Sequence, residues 1–172
     1  MHLQIAFRVL GILLMMFSVT MLPPVVFSVL YQDGVEIIFL QAFTITFVFG
    51  FFLWLVFHRN KAEMRIKDGF LITVLFYLAL GSFGALPFID DRGVGLSIPD
   101  ALFESYSGLT TTGATVIVGI DTLPESIQFY RQQLQWLGGM GIIVLAVAVL
   151  PMLGIGGMQL YRAETPDRKS VV

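Results

Sequence analysis

Leu109-Thr110-Thr111-Thr112-Gly113-Ala114-Thr115 is four threonines, a glycine and an alanine behind one leucine, without a charge. It sits inside Ser105 to Ile120, a charge-free run of only 16 residues. A helix of that length reaches about 24 Å, short of the ~30 Å hydrocarbon core of a bilayer. Whether the stretch crosses or turns back decides the fold.

Everything around it points to a membrane. The 172 residues are 56% hydrophobic and 13% charged, with a mean hydropathy of +0.84. A soluble domain carries about 25% charged residues. A net charge of −2 and the lack of a basic patch argue against a nucleic-acid partner. There are no cysteines, which removes disulfides, thiolate metal sites and cysteine nucleophiles together. His2 and His58 are far apart, so no histidine-built metal or catalytic centre is expected.

Four longer charge-free runs flank the short one: Val9 to Leu30 (22 residues), Ile37 to Phe57 (21), Gly69 to Ile89 (21) and Gln132 to Tyr161 (30). Each is long enough to span the bilayer as a helix. The first exceeds the apolar core of a signal peptide and lacks its cleavage site, so it reads as a retained helix, kinked or ended near Pro23 and Pro24. The last is over-long and is expected to tilt or bend at Gly138, Gly139, Gly141 or Pro151. Close helix packing explains those glycines equally well. Tyr31, Trp54, Tyr130 and Tyr161 fall near span ends, as interfacial aromatics do.

Arg59, Lys61, Arg65 and Lys67 crowd the loop at 58–68, and Arg162, Arg168 and Lys169 the tail. The 31–36 loop has no base, and 90–131 has only Arg92 and Arg131. The positive-inside rule therefore places the 58–68 loop and both termini in the cytoplasm. Asp90 and Arg131 then lie on the same outer side, and the segment between them must enter and leave there. It reads as a re-entrant loop, a form tolerated only within protein or beside water.

Ser97-Ile98-Pro99-Asp100 resembles a capping box with an early proline and an acid in the first turn. A helix over 98–108 follows, half the bilayer in length, with Gly108 as its breaker. Its C-terminal end carries roughly half a negative charge and favours a cation. The threonines then return outward as extended backbone whose carbonyls can replace a cation's water, and Gly113 supplies the dihedral freedom to align them. The fold class is thus an all-α membrane protein: four transmembrane helices, one re-entrant pore helix and an extended filter loop. Residues 1–60 form a helix pair, 61–68 a cytoplasmic basic loop, 69–161 a helix–pore loop–helix repeat (span 69–89, pore helix 98–108, filter 110–115, span 130–161) and 162–172 a cytoplasmic tail.

Thr110 to Thr115, followed by Gln135-Trp136-Leu137-Gly138-Gly139-Met140-Gly141, resembles the first pore repeat of the Trk/Ktr/HKT potassium transporters, in particular of the TrkH-type bacterial subunits. The first two spans resemble the extra helix pair that such chains carry. The resemblance implies potassium uptake across the bacterial inner (cytoplasmic) membrane, with potassium as substrate and no organic cofactor. It implies four repeats around one filter, homodimers and a cytoplasmic TrkA-type nucleotide-binding ring. Carried over by position, Thr111, Thr112, Gly113 and Ala114 line the filter with backbone carbonyls. Only one such loop is found in this sequence, so further repeats of a longer chain or other copies are needed to enclose an ion.

Other residues carry alternatives. Glu104 and Arg131 read as a structural ion pair, with ion binding as the rival for Glu104. Asp90, Asp91, Asp121 and Glu125 form a solvated rim or draw cations to an outer mouth. Gly154 to Gly157 lacks the lysine of a phosphate loop. A non-conducting assembly module is a second reading. An intramembrane hydrolase using Ser105 or Ser107 is a remote one, since His2, His58, Lys61 and Lys67 map to the opposite side.

Overall fold

Prolines, not charges, subdivide the spans. The computed structural model describes residues 3–58 and 66–152, and it contains no strand among them. The first apolar run is split into α1 (Leu3–Val19) and α2 (Leu22–Tyr31). The second is the single helix α3 (Glu36–Phe57). The third is split into α4 (Ile66–Gly84) and a one-turn α5 (Leu86–Ile89). Then come α6 (Ile98–Leu109), a 3-10 turn at Ile120–Thr122, and α7 (Glu125–Met152). Gln4–Tyr31, Glu36–Phe57 and Leu71–Ile89 are long and apolar enough to cross a membrane. The end of the expected fourth span, residues 153–161, the basic residues 59–65 and the 162–172 tail lie outside the described residues. Residues up to Gly139 form one compact unit; residues 140–152, helical, belong to a second.

Each break frees a carbonyl, and α7 satisfies it. Pro24 has no N–H to offer the carbonyl of Thr20, its partner four residues back. Gln133 Nε2 donates to that oxygen instead, at 2.6 Å. Between α4 and α5, the Phe88 amide bonds to the Ala85 carbonyl at 3.0 Å rather than to Gly84. The Gly84 oxygen is taken by the Tyr130 hydroxyl at 2.9 Å. Tyr130, expected at the membrane interface, is therefore fully buried, its ring 5.4 Å from Phe39 and 5.5 Å from Phe88. The reason is that α7 starts at Glu125, five residues before the expected span start at 130, which carries Tyr130 inward. Tyr130→Phe leaves the Gly84 carbonyl without a donor and is expected to cost about 1–3 kcal/mol. The midpoint of thermal unfolding in detergent measures it; an unchanged midpoint would mean another group takes the carbonyl.

The early start of α7 has a donor–acceptor cause as well. Ser126 donates to Asp33 Oδ2 through both its amide (3.0 Å) and its hydroxyl (2.6 Å). The carboxylate from the α2–α3 connection thus caps a helix distant in sequence, where the helix dipole favours negative charge. Burial works to raise the Asp33 carboxyl, but hydrogen bonds from Ser126 and Ser28 outweigh it and hold it below the ordinary carboxylate range. Gly93, at the entry of the 90–124 segment, packs against Ile38 near the start of α3 and Ile127 near the start of α7. The segment therefore begins and ends at one end of the bundle, as the even crossing count requires.

Along α1 and α3, Gly11 and Gly50 face each other. A Cβ on Gly11 would stand 2.6 Å from the Gly50 oxygen, and one on Gly50 2.8 Å from the Gly11 oxygen. Small residues there let two helix backbones approach closely. The opposite face of α3 leaves Val48, Phe52 and Leu55 exposed, the surface a lipid-facing helix presents.

Candidate functional site

α6 begins with the expected cap: the Asp100 amide reaches Ser97 Oγ at 3.4 Å, and the Ser97 hydroxyl donates to Asp100 Oδ2 at 2.6 Å. Its 12 residues rise about 18 Å. Its far end lies against Gly138, where a Cβ would stand 2.0 Å from the Leu109 oxygen. Gly138 is thirteen residues into α7, about 20 Å from its start, so the 12-residue α6 and the first turns of α7 are matched in length.

Gly108 is not the breaker. The helix runs through it to Leu109, and a Cβ on Gly108 would stand 3.1 Å from Leu134 Cβ, a tight contact. The left-handed residue that ends α6 is Thr111, with φ of 57°. A β-branched residue there is a genuine outlier and costs about 1–2 kcal/mol. Gly113 is also left-handed, at φ of 71°, where glycine is unstrained.

This turn draws four successive amides back onto the end of α6. The Thr110 amide bonds to the Tyr106 carbonyl (2.8 Å), Thr111 to Gly108 (2.9 Å), Thr112 to Ser107 (3.0 Å) and Gly113 to Ser107 (3.4 Å). In a planar trans peptide each carbonyl points opposite to the next residue's N–H. The carbonyls of Thr110, Thr111 and Thr112 therefore leave the helix end in the opposite sense. Residues 110–116 are all exposed in this chain. The hydroxyls stay local: Thr110 Oγ1 donates to the Tyr106 carbonyl at 2.8 Å and lies 2.9 Å from Thr112 Oγ1.

The return path is antiparallel to α6. Ser107 Oγ donates to the Ala114 carbonyl at 2.6 Å. One turn nearer the start of α6, Glu104 Oε1 accepts the Val116 amide at 2.7 Å and the Thr115 hydroxyl. Its other oxygen, Oε2, accepts Nε and Nη2 of Arg131, each at 3.2 Å. The pair is buried, Glu104 being 3% and Arg131 8% exposed. Glu104 thus joins α6, the returning segment and α7 while its charge is neutralised, and no oxygen of it is left for an ion. The amide of Val116 was not legible as its partner, because the sequence shows no register between segment and helix.

Of the four residues expected to present carbonyls, Thr111, Thr112 and Gly113 have theirs free of any hydrogen bond among the described residues, whereas Ala114 has its own turned to Ser107. Ser107, considered as a nucleophile, spends its hydroxyl on that bond. The Ser105 hydroxyl is buried without a partner, so neither serine meets a base. Of the rim acids, Asp90 is bound by Arg92 (Nη2 to Oδ2, 2.6 Å), whose hydrogen bonds hold its carboxyl down at about 2. Asp91, Asp121 and Glu125 are exposed.

Known proteins share this sequence and fold. A family model described as a cation transport protein, TrkH, matches residues 36–170. The Trk system potassium uptake protein TrkH of Escherichia coli strain K12 is 55% identical over 166 residues, 96% of this chain and 34% of that protein. TrkH of Halomonas elongata is 57% identical over the same shares. The crystal structure of the potassium transporter TrkH from Vibrio parahaemolyticus superposes with a TM-score of 0.85 at 54% identity, covering 91% of this chain and 34% of that one. The chain spans about a third of the length of the relatives it matches. Spans, half-helix and returning loop are thus found in order within a match that covers most of the sequence, and the chain belongs to the TrkH family of cation transport proteins.

Proposed function

We propose that this chain supplies one of four pore-loop repeats, with an accessory helix pair, to a filter that conducts potassium across a bacterial inner membrane. The observation that carries the reading is the orientation of Thr110 to Thr112: the amides of Thr111, Thr112 and Gly113 are tied to the end of α6, so the carbonyls that precede them are offered on the opposite, exposed side. Uncharged oxygens at the negative end of a half-helix can replace the water of a monovalent cation without trapping it. Thr111, Thr112 and Gly113 are the proposed ligands, and Ala114 joins them only through the lone pair that Ser107 leaves free. The relatives' printed name, potassium uptake protein, supports the choice of ion.

The remaining repeats come from the rest of a longer chain or from other copies, since one loop cannot surround an ion. Homodimers and a cytoplasmic TrkA-type ring are the proposed assembly, with both termini on the cytoplasmic side as the lysines and arginines direct. In this reading the chain is a transport subunit and carries out no covalent chemistry.

The test is Gly113→Ser in the intact transporter, reconstituted in vesicles with potassium and sodium gradients. A Cβ at Gly113 has room, its nearest neighbour being Gln135 Nε2 at 3.8 Å, so only the left-handed backbone resists it. Strain of about 1–2 kcal/mol relaxes by shifting the carbonyls, and the preference for potassium should fall about 5- to 30-fold. An unchanged ratio of the two fluxes would reject the filter assignment.

A further inference from the structure

Behind the filter lies a polar crevice lined by Glu104, Ser107, Gly108, Ala114, Arg131 and Gln135, too tight to admit a water molecule. Two of its side chains reach the returning segment. Ser107 holds the Ala114 carbonyl at 2.6 Å, and Glu104 holds the Val116 amide at 2.7 Å and the Thr115 hydroxyl. They are three residues apart on α6 and so share one face of it. Thr115 Oγ1 in turn receives the Ile117 amide at 3.0 Å. Every residue from Ala114 to Ile117 is thereby fixed to α6, directly or through one hydroxyl.

The consequence follows from what stands just before these anchors. Gly113 is glycine at φ of 71°, free to adopt either sign. The peptide plane between Ala114 and Thr115 is held only by the Ser107 hydroxyl on its carbonyl side. Take that hydroxyl away and the Ala114 carbonyl loses its only hydrogen-bond donor among the described residues. The plane is then free to turn, sending the Ala114 carbonyl toward the exposed side and changing the number of oxygens an ion meets. Ligand number and field strength are what discriminate between monovalent cations.

We propose that Ser107 is a specificity-determining positioning residue, which with Glu104 fixes Ala114 to Val116 and so sets the discrimination between potassium and sodium. The inference rests on the filter reading above. Ser107 touches no ion; it acts through Ala114.

The experiment compares potassium and sodium flux in vesicles for the intact transporter carrying Ser107→Ala, Ser107→Thr or Thr115→Val, after gel filtration has selected variants that assemble. Ser107→Ala and Thr115→Val should each lose about fivefold or more of the flux ratio, while Ser107→Thr, which keeps the hydroxyl, should stay within about twofold. Rescue by threonine separates positioning from mere packing. An assembled Ser107→Ala or Thr115→Val variant with the parent ratio overturns the proposal, provided Gly113→Ser lowers it. If Gly113→Ser leaves the ratio unchanged too, the filter reading itself falls.

Discussion

Replacing Arg131 with leucine should destabilise the protein by about 3–5 kcal/mol, because it leaves the Glu104 carboxylate buried without its counter-ion. The two groups meet at 3.2 Å and are almost closed to solvent, so neither water nor salt can compensate. Glu104 is bound to three groups at once: Arg131 on one oxygen, the Val116 amide and Thr115 hydroxyl on the other. A double variant, Glu104→Leu with Arg131→Leu, removes both charges but leaves the Val116 amide unpaired. It should therefore recover only part of the loss. Unfolding of the purified protein in detergent, followed through a double-mutant cycle, measures both. Full recovery in the double variant would show that Glu104 serves Arg131 alone; a loss below about 1 kcal/mol for Arg131→Leu would place the pair among surface-like bridges of little worth.

Gly138→Ala and Gly139→Ala, neighbours in one helix, should behave in opposite ways. At Gly138 the new Cβ would lie 2.0 Å from the Leu109 oxygen and 2.6 Å from its carbonyl carbon. Those are backbone atoms at the end of α6 and cannot swing aside as a side chain could. Either α6 retreats from α7 or the filter turn distorts, and overpacking of this severity reaches about 3 kcal/mol or more. At Gly139 the Cβ would meet only Thr111 Cγ2, at 3.7 Å, an ordinary contact. The helix there gains from losing a glycine, by up to about 1 kcal/mol. Thermal unfolding of the two variants side by side decides it. A Gly138→Ala protein as stable as the parent would mean that the contact is not as close as described.

The glycines show where reading a sequence stops. Gly108 looked like a breaker, a usual local use of glycine, while Gly138 read equally as a hinge or as a close-packing residue. In the structure both are crowded by a neighbouring helix: a Cβ would stand 2.0 Å from backbone at Gly138 and 3.1 Å from Leu134 Cβ at Gly108. The residue that ends the pore helix, Thr111, is one that local preference would place last. It is held there because four amides find the carbonyls at the end of α6. Tyr130 was misread in the same manner. Its place in a hydropathy run suggests an interface; its partner, the Gly84 carbonyl, exists only because a distant helix is broken.

Charge-free length is a property of the chain itself, so the three membrane-length helices, the half-length helix at 98 with its Ser97 cap, and the turning back of the threonines after it were legible in the sequence alone. Hydrocarbon thickness and the need to satisfy backbone groups convert those lengths directly into architecture. Only the tertiary structure decided which carbonyls face outward, that Ala114 is held by Ser107, that Glu104 secures the returning segment, and that Asp33 caps α7. Those choices depend on the relative depth of elements up to 93 residues apart, as with the Asp33–Ser126 contact, and no pattern along one segment encodes the register of another.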